Sequence, residues 1–177
     1  MKKYRKYTFN PYTPKFKKLY LKEKCKINKI LPSNAQIEHV GSTAIPGLGG
    51  KGIIDIAIKT PRNKVNQIIK KLEKLGYDYN LEHQRDKRRI FLQKKITYSG
   101  KERRIHIHLT LNNEFWNTFI AFRNYLRTHD KERDEYAKLK KEAVKHAKGE
   151  GTKYREYKSK FLENITKRAL RTYSVGL

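Results

Sequence analysis

Asp55, the alternating pair His106 and His108, and the turn Gly41-Ser42-Thr43 are the residues whose types and spacing could do chemistry in this chain. The turn follows an apolar lead-in at Ile37 and Val40. It opens a loop punctuated by Pro46, Gly47, Gly49, Gly50 and Gly52. Backbone without Cβ atoms can approach a ligand closely, and Ser and Thr add hydroxyl and amide donors. Successive amides in such a turn cradle an anion such as a phosphate. Asp55 lies in Ile53-Ile54-Asp55-Ile56-Ala57-Ile58, where a short apolar strand would hold its carboxylate rigidly. A rigid carboxylate beside a phosphate pocket serves metal-assisted phosphoryl or nucleotidyl transfer, in which a cation bridges acid and phosphate oxygens.

Strand alternation over Arg103 to Leu111 puts Ile105, Ile107 and Leu109 on one face and His106, His108 and Thr110 on the other. Two imidazoles so placed can share a metal ion, serve as a general acid or meet a phosphate; two exposed sheet histidines have the same pattern. Asp55 with both histidines would suit Mn²⁺, Zn²⁺ or Ni²⁺ better than Mg²⁺. His39, just before Gly41, is either a third imidazole near the site or a scaffold for the loop. Lys51, beside the glycines, is a candidate phosphate contact.

Two other motifs fail on context. Gly47 to Gly52 matches G-x-G-x-x-G but opens a strand, whereas a dinucleotide fingerprint follows a strand and opens a helix. Gly50-Lys51 lacks the P-loop's first glycine, replaced by Ile45, and its metal-binding hydroxyl, replaced by Gly52.

The run HVGSTAIPGL…KGIIDI resembles the signature of the GrpB-like family, a branch of the polymerase-beta-like nucleotidyltransferase superfamily. Gly41, Ser42 and Asp55 fit that superfamily's Gly-Ser pair and first strand acid, while Ala57 stands where its second acid belongs. The alternating His pair, the NPYTPKF lead-in and the later FRNYLR, EYAKLK and YREYKSKF extend the resemblance from about Asn10 to Leu170. It implies a nucleotidyltransferase-like α/β (α+β) fold, a nucleoside triphosphate with Mg²⁺ or Mn²⁺ as cofactor, and transfer of a nucleotidyl group to an unknown acceptor. The alternative is a catalytically silent module that holds nucleotide or RNA. By the same resemblance, His106 or His108 stands in for a third carboxylate, and Arg123, Lys140 and Lys158 become candidate phosphate contacts beside Gly41, Ser42, Thr43 and Lys51.

The elements that must position these groups are legible from periodicity. A helix is expected from about Pro14 to Ile30, with Phe16, Leu19 or Tyr20, and Ile27 inward, and a second through Val65, Ile68, Ile69 and Leu72, stopped by Gly76. Strands are expected at Ile37–Val40 and Ile53–Ile58, at a short edge from Tyr77 to Leu81, and in a hairpin of Arg88–Ile96 and Arg103–Leu111 turning at Tyr98 to Lys101. That makes a mixed twisted sheet of four to five strands. From Asn113 onward the pattern is helical. Asn113 caps a helix through Phe115, Phe119, Phe122 and Leu126, and Asp130 caps one through Tyr136, Leu139, Ala143 and Ala147. A last helix from Thr152 to Thr172 buries Tyr154, Tyr157, Phe161, Ile165 and Ala169. The expected organisation is a core over residues 1–112 with a helical part, 113–177, packed on it as one compact unit.

Against 17 acids the chain carries 43 Lys and Arg, a net charge of +26 that attracts phosphate-rich partners. A lysine-rich compositional habit would leave the same excess. Met1 to Leu31 holds eleven basic residues and one acid, Glu23, interleaved with aromatics. Such a mixture can hold nucleic acid, although helical spacing favours core packing for the aromatics. Cys25 is alone, which excludes an intramolecular disulfide and a thiolate zinc cage and fits a reducing cytoplasm. No apolar run long enough for a signal peptide or a membrane span is visible, so no membrane partner is expected.

Overall fold

The computed structural model describes residues 8–84 and 88–173. Of the basic, aromatic-rich stretch from Met1 to Leu31, Met1 to Tyr7, with the aromatics Tyr4 and Tyr7, lie outside the described residues.

Four strands carry the site: β1 (Gln36–Val40), β2 (Ile54–Lys59), β3 (Arg89–Tyr98) and β4 (Lys101–Thr110), in spatial order β1-β2-β4-β3. β1 runs antiparallel to β2, β2 parallel to β4, and β4 antiparallel to β3. The sheet is therefore mixed. The β3–β4 turn places Ser99 and Gly100 at φ 49° and 69°, left-handed positions that suit a tight hairpin.

Each central strand is two-faced. Ile54, Ile56 and Ile58 of β2 join Ile105, Ile107 and Leu109 of β4 in a core closed by α1 (Lys15–Asn28) and α2 (Val65–Lys74). From those helices come Phe16, Leu19, Tyr20 and Ile27, and Val65, Ile68, Ile69 and Leu72. The opposite face presents Asp55, Ala57, His106 and His108 toward the C-terminal helices α3 (Asn113–Thr128), α4 (Asp130–Ala147) and α5 (Gly151–Tyr173).

Ile45 and Leu48 of the glycine loop are fully buried against Ala121, Tyr125, Leu126, Tyr136, Ile165 and Ala169. This apolar plug pins the loop to the helices, so the turn at Gly41 is held from both sides. None of the described helices is long and apolar enough to cross a membrane.

Several local expectations are corrected. The edge strand at Tyr77–Leu81 reduces to a single bridge, Asp78 to Gln93, because Asn80 accepts from the Glu82 amide at 2.7 Å and turns the chain. Asn112, not Asn113, caps α3, its extended backbone letting Oδ1 accept from the Phe115 amide at 2.9 Å. Asp130 caps nothing; it is the first residue of α4, and its carboxylate pairs with Arg133. Trp116 takes an inward place on α3, and Tyr157 on α5 is 40% exposed.

Candidate functional site

Register brings the chemistry together. The parallel pairing sets Asp55 opposite His106 and Ala57 opposite His108. Since all four share one face, both imidazoles lean onto the single acid: His108 Nε2 lies 3.0 Å and His106 Nδ1 3.3 Å from Asp55 Oδ1. The three potential ligand atoms lie within 4.8 Å of one another. Burial raises the carboxyl's pKa, but hydrogen bonds from His106 and His108 outweigh it and hold Asp55 well below the usual carboxylate range. His108 is pushed down by its burial, which the hydrogen bond to Asp55 only partly offsets. One oxygen and two imidazole nitrogens fit a divalent ion of the Mn²⁺, Zn²⁺ or Ni²⁺ kind. Ala57, where a second acid would stand, is fully buried with Val40 and Trp116.

Above the acid runs the turn. Gly41 has φ 68°, and a Cβ there would stand 2.6 Å from Asp55 Oδ2, so only glycine allows this approach. Ser42 begins a one-turn 3-10 helix, Ser42–Ala44. The Thr43 hydroxyl donates to the Ile53 carbonyl at 2.8 Å, so it must accept from His39 Nε2, 3.1 Å away. His39 stacks on Tyr20 with centroids 4.5 Å apart, and burial pushes its pKa down to about 4. The side chains of both residues therefore brace the turn from behind. Arg127 forks onto the Ala44 carbonyl from Nε at 3.0 Å and Nη2 at 2.7 Å, a clamp that residue spacing did not reveal.

A cleft of about 220 Å³ opens beneath the turn, lined by Gly41, Ser42, Lys51, Asp55, His106, Lys140 and Lys158 with Phe122, Tyr136 and Tyr154 as walls. Lys140 Nζ donates to the Gly49 carbonyl and sits 4.7 Å from the Tyr136 ring centroid. Burial, then the charge of Lys158, lowers its pKa to about 7. Lys158 reaches the Tyr136 hydroxyl at 3.4 Å, and burial followed by the charge of Lys51 lowers it to about 8. Lys51 lies 4.9 Å from the Tyr154 ring centroid and is also lowered by burial. Arg123 is elsewhere: Nη1 donates to Glu38 at 2.5 Å and to the His39 carbonyl at 3.0 Å, in a groove shared with Trp116 and Ile120.

A second hollow of about 300 Å³ shares Lys51 and His106 with the cleft and adds Arg89, Phe91, Arg104, His108 and Arg155. Arg89 and Phe91 were read only as part of a strand. There Arg89 Nη1 meets His108 Nδ1.

The family model for the GrpB protein matches residues 6–168. The UPF0157 protein BH1888 of Halalkalibacterium halodurans is 32% identical over 166 residues, covering 92% of this chain and 82% of that protein. The glutamate-rich protein GrpB of Alkalihalophilus pseudofirmus is 29% identical over 161 residues, 87% of this chain and 90% of its own. The crystal structure of the conserved protein GrpB from Enterococcus faecalis superposes with a TM-score of 0.79 at 29% identity, covering 94% of this chain and 99% of that one. The Cid1 poly(U) polymerase, in a MgGTP-bound form, superposes at 0.53 and 16% identity over 77% of this chain and 44% of its own, a likeness of fold alone. With the Gly-Ser turn, the single strand acid and the sheet order all accounted for within the matched residues, the chain belongs to the GrpB family and has a nucleotidyltransferase fold.

Proposed function

We propose that this protein transfers a nucleotidyl group from a nucleoside triphosphate to an acceptor, with a divalent metal ion bound at the cluster that Asp55, His106 and His108 form. One observation carries the reading: the cluster opens onto the same cleft in which Lys51, Lys140 and Lys158 converge beside Gly41 and Ser42. Three cations drawn out of water, with pKa values pushed down, gain most from an anion that restores their charge, and a triphosphate supplies it. When bound, the metal would polarise phosphoryl oxygens and neutralise developing charge.

The chain's own groups do the rest. Gly41 and Ser42 admit a phosphate close to the backbone, Lys51, Lys140 and Lys158 hold its charge through the transition state, and Tyr136 and Tyr154 wall the cleft. The fold shared with a poly(U) polymerase supports this reading at the level of architecture, and RNA is one acceptor or partner it accommodates. The second reading, a silent module that holds nucleotide or RNA, is favoured by Ala57, which leaves a single carboxylate on the acid-bearing strand's site face.

Thermal-shift titrations with each nucleoside triphosphate, with and without Mn²⁺ or Mg²⁺, paired with a pyrophosphate-release assay, separate the two. Transfer requires both a shift and release. A nucleotide-dependent shift without release supports the silent module, and no shift with any nucleotide sinks transfer and leaves RNA as the silent module's remaining ligand.

A further inference from the structure

The three members of the Asp55 cluster differ in what their far sides touch. His106 lies edge-on to Phe91 with centroids 4.9 Å apart and lines both hollows. His108 is held at both ring nitrogens: Nε2 faces Asp55 Oδ1 at 3.0 Å, and Nδ1 faces Arg89 Nη1. A guanidinium has only donors and keeps its protons at any physiological pH, so Nδ1 must be the acceptor of that pair. The single proton of a neutral His108 then lies on Nε2 and is donated to Asp55. A nitrogen that carries a proton has no lone pair for a cation.

We infer that Arg89 is a positioning residue that pins the His108 proton on Nε2, making His108 the donor that orients Asp55 and leaving cation ligation to Asp55 and His106. The ligand half of this inference rests on the metal-dependent reading above; the proton half does not. His106 is the better ligand on geometry also. Its Nδ1 also faces Asp55 Oδ1, at 3.3 Å, but among the described residues no hydrogen-bond donor holds its Nε2, so its proton can move there and free Nδ1 for a cation; it borders the cleft that holds the lysines, while His108 is absent from that cleft's lining. The sheet explains the asymmetry. His108 lies two residues further along β4, opposite Ala57, with Phe119 at 5.0 Å between ring centroids, and Arg89 on β3 is two positions along the same face from Phe91.

Long-range ¹H–¹⁵N correlation spectra of the histidine-labelled full chain read the proton directly. Without metal, His108 is expected to show a protonated Nε2 and an unprotonated Nδ1. A proton on Nδ1, alone or in an imidazolium, overturns the proton half without touching the transfer reading. On addition of Zn²⁺, which is diamagnetic, His106 Nδ1 is expected to shift while His108 keeps its Nε2 proton; loss of that proton in the wild type overturns the ligand half. Arg89→Met should let the proton move to Nδ1 when Zn²⁺ is added, whereas Arg89→Lys, which retains a donor, should behave as wild type. An Arg89→Met spectrum identical to wild type with Zn²⁺ removes Arg89 from the role. Mn²⁺ titrations give the second readout: His106→Ala should weaken affinity by about tenfold or more, and His108→Gln, which keeps an N–H for Asp55, by about threefold or less. Equal losses overturn the division of labour. Wild-type protein that binds neither ion overturns the ligand half together with metal-dependent transfer, while the metal-free spectrum still decides the proton.

Discussion

Glu23 on α1 takes hydrogen bonds from Lys94 at 2.7 Å, Lys26 at 2.8 Å and Tyr77 at 3.0 Å, whereas Asp55 on β2 meets two imidazoles on one oxygen. Both carboxylates are drawn from water and both are held ionised below the usual range. Their surroundings divide the molecule. Around Glu23 both oxygens are saturated, Lys94 covers Tyr77 with its ammonium 4.4 Å from the ring centroid, and only 1% of Glu23 is exposed. That cluster ties α1 to β3 and to the chain after α2, and its chemistry is finished. Around Asp55 the side chain stays 22% exposed, Oδ2 faces Gly41, and the lysines of the cleft turn to carbonyl, phenol and ring faces rather than to the acid. A buried charge that is fully paired is costly to break; one that shares a hollow with several cations is the kind of site a ligand could use.

The comparison breaks most sharply at Asp55 itself. Asp55→Ala should lower transfer by about a thousandfold, roughly 4 kcal/mol of barrier, with nucleotide affinity mostly kept. Unchanged product formation would remove Asp55 from the site.

Glu23→Ala should do the reverse, destabilising the fold by about 3 kcal/mol because Tyr77 and Lys94 lose the acid they share, while the folded fraction keeps its activity. The pH dependence has a fixed sign. Burial alone would raise Glu23, but hydrogen bonds from Lys26, Lys94 and Tyr77 bring its folded pKa below the ordinary 4.5. Its contribution is therefore complete above that value and lost as pH falls through the folded one. Urea melts across acidic pH should show a slope that shrinks in the variant, and parallel slopes would return Glu23 to a minor role.

Much of this was legible in the sequence because the deciding interactions are local or periodic. The alternation of Ile105, Ile107 and Leu109 with His106 and His108 fixes which face each occupies, and the apolar strand around Asp55 fixes its partner face. What stayed hidden depends on partners distant along the chain. Arg123 and Lys140 are both basic residues on helices, yet one is consumed by Glu38, 85 residues away, and the other reaches into the cleft. Thr43 looks like a phosphate contact until His39 and Ile53 take up its hydroxyl. Tyr136 and Tyr154, read as buried stripes, prove to be cleft walls as well, because a stripe shows that a side is covered and not what covers it.

Gly41 joins the two halves of the comparison, being a fold residue whose Cβ position is met first by atoms of the candidate acid, Asp55. Gly41→Ala puts a side chain at φ 68° and a methyl 2.6 Å from Asp55 Oδ2. The strain should cost about 2 kcal/mol of stability and displace the carboxylate, so activity should fall further than stability explains. Equal loss in Gly41→Ala and in a control destabilised elsewhere to the same extent would show that the close approach matters only to folding.

The smallest effect tests the cleft cations. Lys140 and Lys158, with pKa values brought down to about 7 and about 8 by burial and by neighbouring lysines, shed protons in the folded state that the unfolded chain still holds. Their contribution to the stability of the ligand-free protein therefore rises as pH climbs from about 7 toward the ordinary lysine value of 10.5. A triphosphate inverts the preference, since it favours the charged ammonium. Nucleotide affinity should accordingly fall by about tenfold between roughly pH 7 and pH 9, about 1.4 kcal/mol. In Lys140→Met, affinity near pH 7 should be weaker and the fall shallower. Calorimetric titrations at matched ionic strength read both numbers, and an affinity flat across that interval would mean that the triphosphate does not contact these lysines.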